Sequence, residues 1–142
     1  MQALLQILAT LSTGLFCGAA AYINLVEHPA RMACGTELAY CQWQPSYRRA
    51  TRMQASLALA GTLFGLLAWW QGASIAYLLG SLALFAVVPF TFIVIMPVNK
   101  ALQQADVQTE RTRVTSLLAR WDRLHAFRTL FSLLAFLILI AG

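Results

Sequence analysis

The chain has 142 residues, 60% of them hydrophobic and only 11% charged, with a formal net charge of +5 and a mean hydropathy of +0.68. About a quarter of a soluble globular domain is charged, so this composition excludes that class and indicates an integral membrane protein. The length leaves room for one domain, residues 1–142, with a few spans of ~20 apolar residues each.

The first apolar run covers roughly residues 3–26 (LLQILATLSTGLFCGAAAYINLV). It lacks the basic leader of a signal peptide and is too long for a cleaved apolar region, so it is read as a true span. Gly14 and Gly18, with Ser12, Thr13 and Cys17, are expected to serve close helix packing. Residues Gly35 to Arg52 look less regular, with Pro45 interrupting and Tyr40, Trp43 and Tyr47 suited to an interface. The second span is placed at roughly 53–70 and closes on Trp69 and Trp70 before a short Gln71-Gly72 turn, which predicts a hairpin.

The third span runs roughly 73–96, and Pro89 should kink it and widen the bundle on one side. Between Val107 and Leu124 the apolar residues Val114, Leu117, Leu118, Trp121 and Leu124 recur at three and four, which predicts an amphipathic helix. That helix runs into a fourth span at roughly 124–141. Long uniform apolar runs exclude a β-barrel, whose strands are short and alternating. The expected fold is therefore all-α: a four-helix transmembrane bundle with a cytoplasmic amphipathic helical extension before the fourth span.

Charge sets the expected orientation. Arg31, Arg48, Arg49 and Arg52 precede the second span, and Lys100, Arg111, Arg113, Arg120 and Arg123 precede the fourth, whereas neither end of the sequence carries Lys or Arg. The positive-inside rule then places residues 27–52 and 97–123 in the cytoplasm and both termini on the other side, as in a bacterial inner membrane. The basic balance is explained by topology and anionic lipid, with no need of nucleic acid. Cys34 and Cys41 in a reducing compartment read as free thiols. A faint echo joins YRRATRMQ to WDRLHAFR, and the first and third spans both end at proline, in VEHP and VIMP; basic approaches to spans resemble one another for topological reasons alone.

This topology groups polar residues at one membrane depth. Glu27 and His28 end the first span, Gln54 starts the second, Asn99 follows the third, and Trp121, His125 and Arg128 share one face at the start of the fourth. Packed as a bundle, they should converge on one pocket between the helices. His125 is the strongest candidate base, because an imidazole titrates near ~6.5. Arg31, Arg48 and Arg52 read as topological or lipid-facing.

The chain resembles the small four-span membrane proteins of the anthrone oxygenase-like family. The resemblance lies in Glu27-His28-Pro29-Ala30 after a glycine-bearing span, Trp43 and Gln54 about the second span, Thr91 with Met96-Pro97-Val98-Asn99, and Trp121-Asp122-Arg123-Leu124-His125-Ala126-Phe127-Arg128. It implies oxidation of a lipophilic aromatic or anthrone-like substrate by dioxygen. His125, or Glu27 once buried, would be the base and Arg128 would stabilise the enolate oxygen. Asn99, Gln54 and His28 would orient the substrate between the flat walls of Trp121 and Trp43. Such a route requires no metal or flavin. The alternative is non-haem iron held by His28, His125 and Glu27, which would require the chain to unwind before Pro29. A non-enzymatic reading also fits: a membrane scaffold or transporter-like binder of a quinone, lipid or other lipophilic molecule.

Overall fold

A computed structural model describes residues 1–142. Four helices account for nearly all of it: α1 (Gln2–Ala33), α2 (Thr36–Trp70), α3 (Ile75–Gln104) and α4 (Arg111–Ala141). Each is long and apolar enough to cross a membrane. Neighbours in sequence are neighbours in space, and α4 returns to α1, so the helices form an up-and-down ring in which α2 and α4 face each other across the centre. No strand occurs.

The outer faces carry large apolar side chains, among them Leu4, Ile7 and Leu11 of α1, Leu59 and Leu63 of α2, and Leu134 and Leu137 of α4, all exposed. In water such a surface would drive association; in a bilayer the lipid tails are its solvent. Small residues bring the helices close. A side chain at Gly65 would meet Ser81 Oγ at 2.0 Å, and one at Gly80 would meet Leu139 at 2.8 Å. Gly18, by contrast, faces open space, so only Gly14 of that pair touches a neighbouring helix, at Phe136.

The helices are longer than the spans expected within them. Residues 27–52 and 97–123 are not loops: the only non-helical connections are Cys34-Gly35, Gln71–Ser74 and Ala105–Glu110. At 1.5 Å per residue, the 35 residues of α2 reach roughly 50 Å, against ~30 Å of hydrocarbon. The excess forms a helical head at the end opposite Trp69 and Trp70. Pro45 does not interrupt α2, which passes through it. A proline in a helix interior costs about 3 kcal/mol, and here the head offsets it by burying Tyr40 and Trp43 against Leu102, Val114, Leu118 and Trp121 in its core. The amphipathic extension before the fourth span is present, beginning at Arg111 and continuous with α4.

Two of the prolines share one device. Pro29 and Pro97 each follow a π-helical turn, Ile23–Glu27 in α1 and Thr91–Ile95 in α3. In each, the residue before proline donates its N–H five residues back, His28 to Ile23 and Met96 to Thr91. Proline has no N–H and crowds the carbonyl four residues earlier, so a wider turn lets the helix continue through it. The likeness of VEHP and VIMP is therefore matched in backbone form. Pro89, expected to kink the third span, lies just past a turn at Ala86 within α3.

Candidate functional site

The π turn in α1 adds a residue to one revolution and helps bring Asn24 against α4. Its amide nitrogen donates to Asp122 Oδ1 at 2.8 Å and to the Asp122 carbonyl at 3.1 Å. Its oxygen accepts from Thr129 Oγ1 at 2.6 Å and lies 2.9 Å from His125 Nδ1. Both Asp122 partners are acceptors, so the amide nitrogen must face them and the oxygen must face the histidine. His125 Nδ1 therefore carries the proton in this network, which leaves Nε2 with the free lone pair. The imidazole is 2% exposed and stacks on Trp121, with ring centroids 4.9 Å apart.

Trp121 is fixed on its other side by α3. Its indole N–H donates to Asn99 Oδ1 at 2.9 Å, and Asn99 Nδ2 donates to Tyr47 OH at 3.2 Å, a chain that ties α4 to α3 and α3 to α2. Across the centre of the bundle, Arg128 of α4 donates through Nη2 to Gln54 Oε1 of α2 at 2.6 Å. The protein's ion pairs do not involve Arg128, and its Nε and the Gln54 Nε2 are buried donors with no partner. A buried donor without an acceptor is costly, about 1–3 kcal/mol and more for a charged group. Both residues border the same cavities, so both donors are free toward an oxygen placed there.

These side chains line two adjoining cavities. The inner one, about 20 Å³, is bordered by His125, Trp121, Asn99, Arg128, Gln54 and Arg31. It is large enough for about one water-sized molecule. The outer one, about 160 Å³, shares Tyr47, Thr51, Gln54 and Arg128 with it, and its remaining walls include Phe16, Ala58, Val87 and Phe92. A larger groove of about 720 Å³ lies on the lipid-facing side near Thr10 and Phe136, far along the helices from these groups.

The structure thus brings together His125, Arg128, Trp121, Asn99 and Gln54 on one inner cavity. Glu27 stands behind Arg31, where its carboxylate accepts from Arg31 at 2.5 Å, Ser46 at 2.6 Å and Gln42 at 2.8 Å. His28 is buried beside Trp121, with ring centroids 5.5 Å apart, and does not border either cavity. Trp43, fully buried, stacks on Tyr47 at 5.0 Å and meets Trp121 edge-on at 6.0 Å. Glu27, His28 and His125 do not gather as a three-ligand group, and no other set of His, Cys, Asp or Glu does.

Sequence reasoning missed Asn24, Asp122, Tyr47 and Arg31. Arg31, which the sequence presents as topological or lipid-facing, is 5% exposed, lies over Trp121 with Cζ 6.0 Å from the ring centroid, and is held there by Glu27. Arg48 and Arg52 are exposed, in keeping with a topological role. The available signal for Asn24 was its place as a lone amide in the apolar run AAAYINLV, since polar groups within a span need partners.

No curated protein and no solved structure matches the chain. The family model described as anthrone oxygenase matches residues 43–138, taking in all of the site except the part contributed by α1. With two thirds of its length in that match, and four membrane-spanning helices around one polar centre, the chain belongs to the anthrone oxygenase family.

Proposed function

We propose that the protein oxidises a lipophilic, enolisable polycyclic phenol of the anthrone type with dioxygen, without a metal or organic cofactor. The observation that carries this reading is the pair of unpartnered donors, Arg128 Nε and Gln54 Nε2, at the border between an apolar cavity and a polar one. An aromatic body fits the first, and an oxygen that becomes anionic fits the second. In this reading the helical head faces the cytoplasm, as in a bacterial inner membrane, supported by the exposed basic residues Arg48, Arg52, Lys100, Arg111 and Arg120 that it carries.

In this proposal His125 Nε2 removes a proton from the methylene carbon of the substrate while Asn24 holds Nδ1–H and the ring orientation. Negative charge moves to the ring oxygen, which Arg128 and Gln54 stabilise. The electron-rich enolate passes an electron to dioxygen, and the resulting radical and superoxide combine to form a carbon–oxygen bond. Loss of the second C–H proton with cleavage of the O–O bond yields the ketone and water, so CH₂ and O₂ become C=O and H₂O. Phe16 and Phe92 supply apolar aromatic walls to the outer cavity, while Trp121, fixed by Asn99, borders the inner one and holds the His125 ring by stacking.

The test is quinone formation by purified protein in lipid vesicles supplied with 1,8-dihydroxyanthrone in air. Acceleration over protein-free vesicles, lost in Arg128→Ala and His125→Ala with the fold intact, supports the reading. Saturable binding of the anthrone with no acceleration would instead favour a non-enzymatic binder.

A further inference from the structure

Taking its ligand from the reading above, we infer that the site is loaded sideways, from the bilayer, through the cleft between α2 and α3. The two helices pack along Ile75–Phe85, where Gly65 admits Ser81, and separate above the turn at Ala86. The stretch beyond that turn holds Pro89 and the π turn at Thr91–Ile95, and little of it approaches α2. The outer cavity of about 160 Å³ fills the gap. Ala55 on one side and Phe92 on the other stand exposed at its mouth, Phe92 by 64%.

Depth identifies what meets that mouth. Ala55 lies 15 residues from Trp70 at the turn end, roughly 22 Å along the helix axis at 1.5 Å per residue. With Trp70 at one interface, the mouth falls within the ~30 Å hydrocarbon layer. A membrane-dissolved phenol, neutral and flat, meets apolar walls first and then the Gln54 and Arg128 donors at the inner end.

The openings at the head end are polar: one of about 160 Å³ is bordered by Trp43, Gln44, Tyr47, Arg48 and Gln103. Trp43, Leu102, Val114 and Leu118 are fully buried above Trp121. A surface depression beside Ser46 is bordered by Gln42, Arg49 and Met53. It shares Ser46 and Ala50 with the inner cavity, and Ser46 is tied there to the Glu27–Arg31 pair, so a neutral phenol entering this way would meet charged groups before apolar walls.

The experiment uses the full chain in phosphatidylcholine vesicles containing 4-hydroxybenzophenone, a lipophilic phenol that labels neighbouring C–H groups on irradiation. Labelled positions are mapped by mass spectrometry, alongside quinone formation from 1,8-dihydroxyanthrone in separate vesicles. Labelling is expected on the Ala55–Ala58 and Val88–Phe92 segments, and Ala55→Trp and Val88→Trp, which obstruct the cleft from opposite walls, should each reduce it at least tenfold. Leu59→Trp, on the lipid-facing surface of α2 outside the cleft, should leave it unchanged.

Labelling confined to the depression at Gln42, Arg49 and Met53, or undiminished in both cleft variants that elute as folded protein, overturns lateral loading. So does quinone formation that persists at the wild-type rate when cleft labelling is lost. Cleft labelling without any quinone formation removes the oxygenase reading and leaves the lateral path standing.

Discussion

Arg128 and Gln54 reach each other across the centre of the bundle, from the two helices that face each other diagonally, and meet at 2.6 Å. The bond uses one guanidinium nitrogen and the amide oxygen, so Arg128 Nε and Gln54 Nε2 remain buried and unpaired. The polar centre is thus held in place by one half of each group while the other half stays available to a ligand.

Substitution of Arg128 should separate charge from geometry. Arg128→Ala is expected to lower kcat for anthrone oxidation by about 10²–10³, the usual cost of losing a donor to a developing oxyanion. Arg128→Lys keeps the charge but not the fork that bonds Gln54 while presenting Nε–H, so it should recover only a small part of the loss. Steady-state kinetics in vesicles checks this; full activity in the lysine variant would show that charge alone suffices.

Asn24→Ala removes the partner of His125 Nδ1, Thr129 and Asp122 together. Nitrogen-15 NMR of histidine-labelled protein should show His125 protonated at Nδ1 in the wild type and a mixture of tautomers in the variant. Turnover should fall by about 10²-fold, within the range that a positioned base contributes. An unchanged tautomer with lost turnover would assign Asn24 some other part.

The two buried tryptophans should differ in what truncation costs. Trp121→Phe strands the Asn99 oxygen and should cost about 1–3 kcal/mol of stability. Trp43 Nε1 has no partner to lose, so Trp43→Phe carries only the cavity cost that both truncations share and should be the milder of the two. Thermal unfolding in detergent, followed by circular dichroism, orders the two. Trp43→Phe proving the more harmful would mean that its N–H is engaged.

Glu27→Gln tests whether the carboxylate is chemical or structural. Arg31 is buried and has Glu27 as its ion-pair partner, so breaking the pair should destabilise the protein by about 3–5 kcal/mol. Because Glu27 stands behind Arg31 and does not border either cavity, turnover per folded molecule should stay within about threefold of wild type. Loss of turnover in protein that remains folded would return the role of base to Glu27.

Gly65→Ala places a methyl group where Ser81 Oγ now lies, and should destabilise the α2–α3 contact by about 1–3 kcal/mol. Adding Ser81→Gly should restore most of that stability, measured by thermal unfolding. Failure of the second change to rescue the first would place the strain elsewhere.

The sequence by itself determined the solvent and the architecture. Runs such as LLQILATLSTGLFCG cannot stay in water, and backbone groups in lipid must bond within their own helix, so four spans and their order follow from hydropathy alone. The shared level of Gln54, Asn99, Trp121, His125 and Arg128 follows too, because a helix rises uniformly and topology alternates its direction. The π turns before Pro29 and Pro97 were not legible: the echo of VEHP and VIMP is too short to separate from chance, although proline acts on its own backbone.

Only the tertiary structure decided which of the level residues meet. Pro45 was read as a break because helix propensity is local, whereas burial of Tyr40 and Trp43 against helices far along the chain overrides it. Arg31 looked like one more loop arginine, and its burial depends on Glu27, Ser46 and the face of Trp121 arriving together. Asn24 is the clearest case: one amide among alanines and leucines becomes the partner of three α4 residues, because a π turn and the closure of the ring set α1 against α4. Periodicity gives the depth of a side chain; what it touches across the bundle depends on rotations and close approaches that no single segment encodes.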